Sequence, residues 1–170
     1  MRPRAYGLVR DSGLRLMPNS SVSEVSIRDA RPGDAPRLYE IDQICFAPYI
    51  AYSRAEILFL LTRRSSIARV AELSGDAAGF VIGQAGPGAE SHVITLDVIP
   101  EARRRKIGTL LMSALHEEFR RRGIERVILE VDTTNETAQQ FYRGFGYERG
   151  ELLHGYYQGR SDAYRMRLRL

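Results

Sequence analysis

From Val25 onward the chain switches between two hydrophobic periods. Val25 and Ile27 alternate with polar neighbours as a short first strand, which Pro32 and Gly33 end. Asp34 stands where a helix N-cap is wanted, ahead of Leu38, Ile41 and Cys45 on one helical face. Ser53-Arg54-Ala55-Glu56 fits a capping box and opens a second helix. Strands are predicted over about 66–73 and 78–84, with a Ser74-Gly75-Asp76 turn between them, and a fourth, β-branched one over 92–98. Ile107, Leu110, Leu111, Ala114 and Leu115 recur at helical spacing. That helix carries Arg120, Arg121 and Arg122 in its last turn and stops at Gly123, as the macrodipole and C-cap preferences favour. Val127, Leu129 and Val131 share one face of a fifth strand, and Asn135 or Thr133 caps a fourth helix ending near Gly144. Two strands joined by a turn finish the chain. The last, Tyr164 to Leu170, alternates apolar and basic residues, so one face is buried and the other wet. It reads as an edge strand open to a partner, with its arginines as protection against that.

The element order is β-α-α-β-β-β-α-β-α-β-β, an α/β layout: an antiparallel meander, strand–helix–strand units, then a terminal hairpin. Residues 1–24 hold Gly, Pro, Ser and Asn with little periodicity and read as an N-terminal extension. Residues 25–170 read as one domain, which fits a length of 170 residues.

Composition narrows the class. Hydrophobic residues make up 44% and charged residues 27%, which excludes a collagen, a mucin or a wholly disordered chain. The single cysteine, Cys45, excludes an intrachain disulfide and a cysteine-rich zinc site. His92, His116 and His154 are far apart without ligand spacing, so no metal is expected. No apolar run is long enough to cross a bilayer and no signal peptide is evident, so a cytoplasmic location without membrane attachment is expected. The formal net charge is +4, and Lys106 is the sole lysine among the basic residues. A basic excess reads as a solvated surface or as a binder of anions.

One segment stands apart. Between the fourth strand and the third helix lie Arg103, Arg104, Arg105 and Lys106, with Gly108 in the helix's first turn. A strand feeding a helix aims the helix's first free N–H groups at one point, where an anion binds. A glycine there lets a phosphate approach closely. On these grounds alone the stretch Val98 to Thr109 is either a pyrophosphate cradle or a solvated basic loop. It matches neither G-x-x-x-x-G-K-[ST] nor G-x-G-x-x-G, so nucleotide hydrolysis and dinucleotide redox chemistry lose support.

The run LDVIPEARRRKIGTLLM, Leu96 to Met112, resembles the acetyl-CoA-binding motif of the GNAT superfamily of N-acetyltransferases. LEVDTTNETAQQFYRGFGY, Leu129 to Tyr147, resembles that superfamily's second signature, and IRDARPGDAPRLYEI its usual start. Within the superfamily the chain is most similar to ribosomal-protein alanine N-acetyltransferases and related N-terminal acetyltransferases. Gly155-Tyr156-Tyr157 and Asp162-Ala163-Tyr164, followed by Met166, have counterparts in that branch. The likeness covers about Val25 to Leu170. It implies a GNAT-type mixed, mostly antiparallel sheet of about seven strands flanked by about four helices. The sequence departs from the motif at Lys106, where the family carries glycine: the amide survives, but the side chain crowds the turn if φ is positive.

The resemblance implies roles. Acetyl-CoA would lie between splayed fourth and fifth strands, its pantetheine paired with the backbone of Leu96, Asp97 and Val98. Its pyrophosphate would take amides from Arg104, Arg105, Lys106, Ile107, Gly108 and Thr109, with Arg103 near by. Asn135 would contact the pantetheine or simply cap its helix. Asp97 is either a second acid near the amine or a carboxylate paired with an arginine. Glu130, opposed in direction to Leu129 and Val131, would be the general base, directly or through water. Tyr142 would protonate the departing CoA thiolate; otherwise it is a helix aromatic packed beside Phe141 and Phe145. The Val98 amide would hold the oxyanion. Tyr49, Tyr52, Tyr156 and Tyr157 either line a groove for a peptide acceptor or are ordinary core and edge residues.

The activity implied is acetyl transfer from acetyl-CoA to a primary amine, foremost the N-terminal α-amine of a protein such as a ribosomal protein. A small amine (polyamine, amino acid or aminoglycoside) is the alternative acceptor, and an acyl-CoA-binding module without turnover is the non-catalytic one. No nucleic acid is expected as partner, although a basic nucleic-acid binder is the third reading and would show steep salt dependence. The chain is a monomer or a homodimer; the sequence does not distinguish them.

Overall fold

The computed structural model describes residues 25–170 other than Pro87 and Ala89. The extension expected over residues 1–24 lies outside the described residues. Seven strands form one sheet: β1 (Val25–Asp29), β2 (Ser66–Leu73), β3 (Asp76–Ala85), β4 (Glu90–Val98), β5 (Arg126–Asp132), β6 (Glu148–Tyr157) and β7 (Ser161–Arg169). Their order is β1-β2-β3-β4-β5-β7-β6, and only the β4–β5 pair is parallel. The helices are α1 (Ala35–Cys45), α2 (Arg54–Thr62), α3 (Ile107–Arg121) and α4 (Glu136–Gly144).

Each face of the sheet carries its own core. Leu38 and Ile41 of α1 and Ile57 of α2 pack on Val70, Phe80 and Ile82. Leu111, Met112, Leu115 and Phe119 of α3 pack on Val81, Val127, Leu129 and Met166. The seam is tight where α3 crosses β3: a Cβ on Gly83 would stand 2.6 Å from Phe119 Cζ and 2.7 Å from Leu115 Cδ1. Glycine there is a packing requirement.

Three local expectations need correction or resolution. Asp34 does not cap α1; its carboxylate accepts from the Arg31 amide at 2.7 Å and pairs with Arg28 at 2.8 Å, which ties the preceding short turn to β1. Asn135, rather than Thr133, caps α4 by accepting from the Ala138 amide at 3.0 Å. The last strand is not an edge. β7 lies between β5 and β6, so Arg165 and Arg167 serve contacts within the sheet and β6 is the edge on that side. Alternation along a strand reports which face is wet; it carries no information about neighbours.

Candidate active site

β4 and β5 pair only through Glu90–Arg126, Ser91–Val127 and His92–Ile128. Beyond these residues the two strands part and leave a cavity of about 360 Å³. Part of the cause is a bulge. Opposite β3 the register runs from Gly83–Val93 to Ile82–Thr95, so Ile94 is an extra residue on β4. The bulge also exchanges faces: Asp97, opposite Phe80, now points into the α1–α2 core.

Main-chain accounting separates three residues expected to act together. Ile99 donates to the Ala78 carbonyl at 3.0 Å. By antiparallel alternation Asp97 therefore spends its amide and carbonyl on β3, whereas those of Leu96 and Val98 face the gap. Asp97 is a correction to the expected set. The residue is 1% exposed, its carboxylate accepts from Thr95 Oγ1 at 2.9 Å, it pairs with no arginine among the described residues, and it does not line the cavity. Burial, then the charge of Asp42, pushes its carboxyl well above the usual range. The Val98 carbonyl accepts from Arg103 Nε at 3.0 Å, which places Arg103 beside the open end of β4.

Above that end α3 begins. Arg103, Arg104, Arg105 and Lys106 are all exposed, and Ile107, Gly108 and Thr109 form the first turn, whose amides have no partners within the helix. A Cβ on Gly108 would lie 3.4 Å from the Phe141 ring, so a larger side chain there meets α4. Lys106 has φ 61, the left-handed region, and so does Arg104 with φ 64. A left-handed turn that favours glycine is therefore made here by a strained cation. Lys106→Gly is expected to raise the melting temperature of the unliganded protein by a few degrees, from about 1 kcal/mol of relieved strain. Calorimetry on the same variant is expected to show weaker coenzyme A binding, because one positive charge is lost. A melting temperature that does not rise contradicts the strain argument.

Two walls flank the cavity. Leu96, Val131, Asn135, Ala138 and Tyr142 form one; Phe46, Ile50, Tyr52, Ile94, Tyr156 and Tyr157 contribute to the other. Tyr52, Tyr156 and Tyr157 thus come together from the α1–α2 loop and β6, as the peptide-groove reading expects. Tyr49 does not join them; Arg160 of the β6–β7 turn stacks over its ring at 5.5 Å. Phe46 and Ile50 carry no sequence signal beyond their proximity to the loop tyrosines. Tyr52 is fixed by α1: Asp42 Oδ2 accepts from its amide at 2.8 Å and Gln43 Nε2 donates to its carbonyl at 3.0 Å. Asp42 is fully buried, and desolvation pushes its carboxyl up to about 6.

At the fork of the strands lies Glu130, its side chain 4% exposed. Its Oε2 meets His92 Nε2 at 2.5 Å and its Oε1 accepts from Arg165 Nε at 2.9 Å. Burial pushes the Glu130 carboxyl up, but the hydrogen bonds and charges of His92 and Arg165 outweigh it and hold the group down at about 2. Glu130 is an anion at any working pH. Sequence reasoning missed His92, because the contact joins residues 38 positions apart. Tyr142 lies on α4. Its ring packs edge-on against Phe141 at 5.4 Å, and the residue lines the cavity. Burial, then the Asp97 charge, raises its phenol far above neutrality, so it carries its proton throughout the working range.

A splayed strand pair over a cationic helix start, with a shielded acid–imidazole pair at the fork, belongs to an enzyme that receives an extended donor and moves a group from it. The chain is a member of the acetyltransferase (GNAT) family, whose model matches residues 35–147. It is 31% identical to an uncharacterized N-acetyltransferase of Methanocaldococcus jannaschii over 81% of this chain and 86% of the relative. It is 27% identical to an N-alpha-acetyltransferase of Sulfurisphaera tokodaii, over 84% and 92% of the two chains. Among solved structures, the ribosomal-protein-S18-alanine N-acetyltransferase of Escherichia coli matches with a TM-score of 0.78 and 26% identity, over 86% and 94% of the chains. Among the described residues no helix is long and apolar enough to cross a membrane, and no group of three or more His, Cys, Asp or Glu stands ready for a metal.

Proposed function

We propose that the protein transfers the acetyl group of acetyl-CoA to the N-terminal α-amine of a polypeptide, by direct attack of the amine. The observation that carries this reading is the pairing of His92 with Glu130 at the fork between the two walls. The chemistry of the donor set fits acetyl-CoA: the gap-side groups of Leu96 and the gap-side amide of Val98 suit the pantetheine amides, and the α3 amides with Arg103 to Lys106 suit the diphosphate. Bound there, acetyl-CoA supplies the activated acetyl group. Asn135 borders the same groove from the cap of α4.

An α-amine has an ordinary pKa near 7.7–8.0 and a lysine amine near 10.4, so an N-terminus is the easier group to deprotonate near neutrality. A carboxyl held at about 2 is a feeble base by itself. Beside an imidazole it acts as counter-ion. His92 presents Nε2 to Glu130, which leaves Nδ1 as the ring's acceptor for the amine proton, directly or through water. Tyr142 gives its phenolic proton to the departing thiolate, and the gap-side amide of Val98 stabilises the oxyanion.

The acceptor wall supports a peptide over a polycation. It is mostly aromatic and apolar; of the two carboxylates that line the cavity, Glu130 already faces His92 and Arg165, and Asp132 accepts from the Thr134 amide and hydroxyl. The similarity to proteins named for α-amine and S18-alanine acetylation points the same way. The test is thiol release from acetyl-CoA with a panel of short peptides bearing free N-termini, the same peptides with blocked N-termini, polyamines and aminoglycosides. Activity is expected only with free-N-terminus peptides. Faster turnover with a polyamine or an aminoglycoside overturns the acceptor assignment.

A further inference from the structure

The reaction as proposed uses one face of Glu130 and leaves the other face unexplained. Arg165 lies directly opposite Glu130 in the β5–β7 register and donates through Nε. Its Nη1 donates to Glu151 on β6 at 3.1 Å, and Arg167 Nη2 donates to the same oxygen at 2.7 Å. A chain of donors and carboxylates therefore runs His92, Glu130, Arg165, Glu151, Arg167 across β4, β5, β7 and β6. Arg165 is 30% exposed at its side chain while Glu130 is 4%, so this guanidinium spends its charge inward.

We propose that Arg165 is a positioning residue that sets the pH range over which the His92–Glu130 pair accepts a proton, and that Glu151 holds Arg165 to that task. The proposal rests on reading this pair as the proton acceptor. The argument is one of net charge. An imidazole beside an unopposed carboxylate binds a proton tightly and passes it on slowly. A cation on the carboxylate's far oxygen cancels part of that attraction. Arg165 reaches two carboxylates through different nitrogens, which a lysine ammonium does not reproduce in one fixed geometry.

The other groups facing Glu130 do not supply charge. They are Tyr52 from the α1–α2 loop and Tyr156 and Tyr157 from β6. Burial pushes Tyr52 and Tyr156 up to about 12, and Tyr157 rises for the same reason, so all three stay neutral near pH 7. His92 from β4 and Arg165 from β7 are the remaining partners of Glu130, and His92 also borders a pocket lined by Arg63 and Glu90, whose charges are the same in every variant compared.

The experiment follows the imidazole of His92 by NMR across a pH series, in the full chain and in Arg165→Met, without any acceptor. The midpoint is expected to move up by about one unit in Arg165→Met, because the pair gains net negative charge. Glu151→Gln is expected to move it the same way by a smaller amount, because Arg165 is then no longer held against Glu130, and Arg165→Lys to stay closer to the wild type than Arg165→Met. With acetyl-CoA and a peptide beginning with Ala, the acid limb of kcat is expected to move with the NMR midpoint while the peptide KM holds. An unmoved His92 midpoint in Arg165→Met overturns the proposal. If that variant does not fold, an unmoved midpoint in Glu151→Gln does so instead. A shifted midpoint in a wild-type protein that acetylates no α-amine overturns only the acceptor reading, so the two failures are distinguishable.

Discussion

Glu130→Gln is expected to lower kcat/KM for an α-amine acceptor by about 10²–10³-fold at pH 7, within the range for a positioned acid–base group. Glutamine keeps the volume and removes the counter-ion. It also turns an amide N–H₂ toward either His92 or Arg165, which both donate to the carboxylate in the native site. The loss is expected to grow at low pH and to narrow above pH 8. The sign follows from the acceptor: an α-amine is mostly protonated below about pH 7.7–8.0, so proton removal is then the harder part of the reaction. At higher pH the amine arrives neutral and needs less help. Rate profiles of both proteins over the same pH series, with one peptide, check this. Parallel profiles at a constant ratio place the proton acceptor elsewhere.

Tyr142→Phe is expected to lower kcat at least about tenfold and to leave coenzyme A affinity unchanged. Burial first, then the charge of Asp97, raises the phenol, so it is a proton donor at any working pH. Phenylalanine retains the edge-on packing against Phe141 and Tyr147, which keeps α4 in place. A fall in kcat with an unaltered calorimetric affinity is therefore a chemical effect. Unchanged turnover removes Tyr142 from proton transfer and leaves it only as a packing residue of α4.

These expectations depend on two kinds of contact, and only one was visible in the chain. The Ser53–Glu56 capping box, the Asn135 cap, the α3 face of Leu111 and Leu115 and the β5 face of Val127, Leu129 and Val131 follow from periods and caps within a few residues. The two motifs that flank the cavity are also local runs. This is why the cationic start of α3 and the opposed direction of Glu130 were legible before any fold was known. The direction of Asp97 was not legible, because the bulge at Ile94 adds a residue and reverses the alternation beyond it. Asp34 failed for a different reason. A carboxylate able to cap two turns takes the one where an arginine also waits, and Arg28 lies on a strand six residues back.

The sequence alone determined the elements and the family they belong to, since each rests on neighbours along the chain. Tertiary structure decided which residues meet at the fork. His92, Glu130 and Arg165 come from β4, β5 and β7, and their contacts depend on strand order and register. Periodicity assigns a side chain to a face, while the sheet alone selects the side chain across from it. The charge state of the candidate active site is a property of that selection, so it was absent from the sequence.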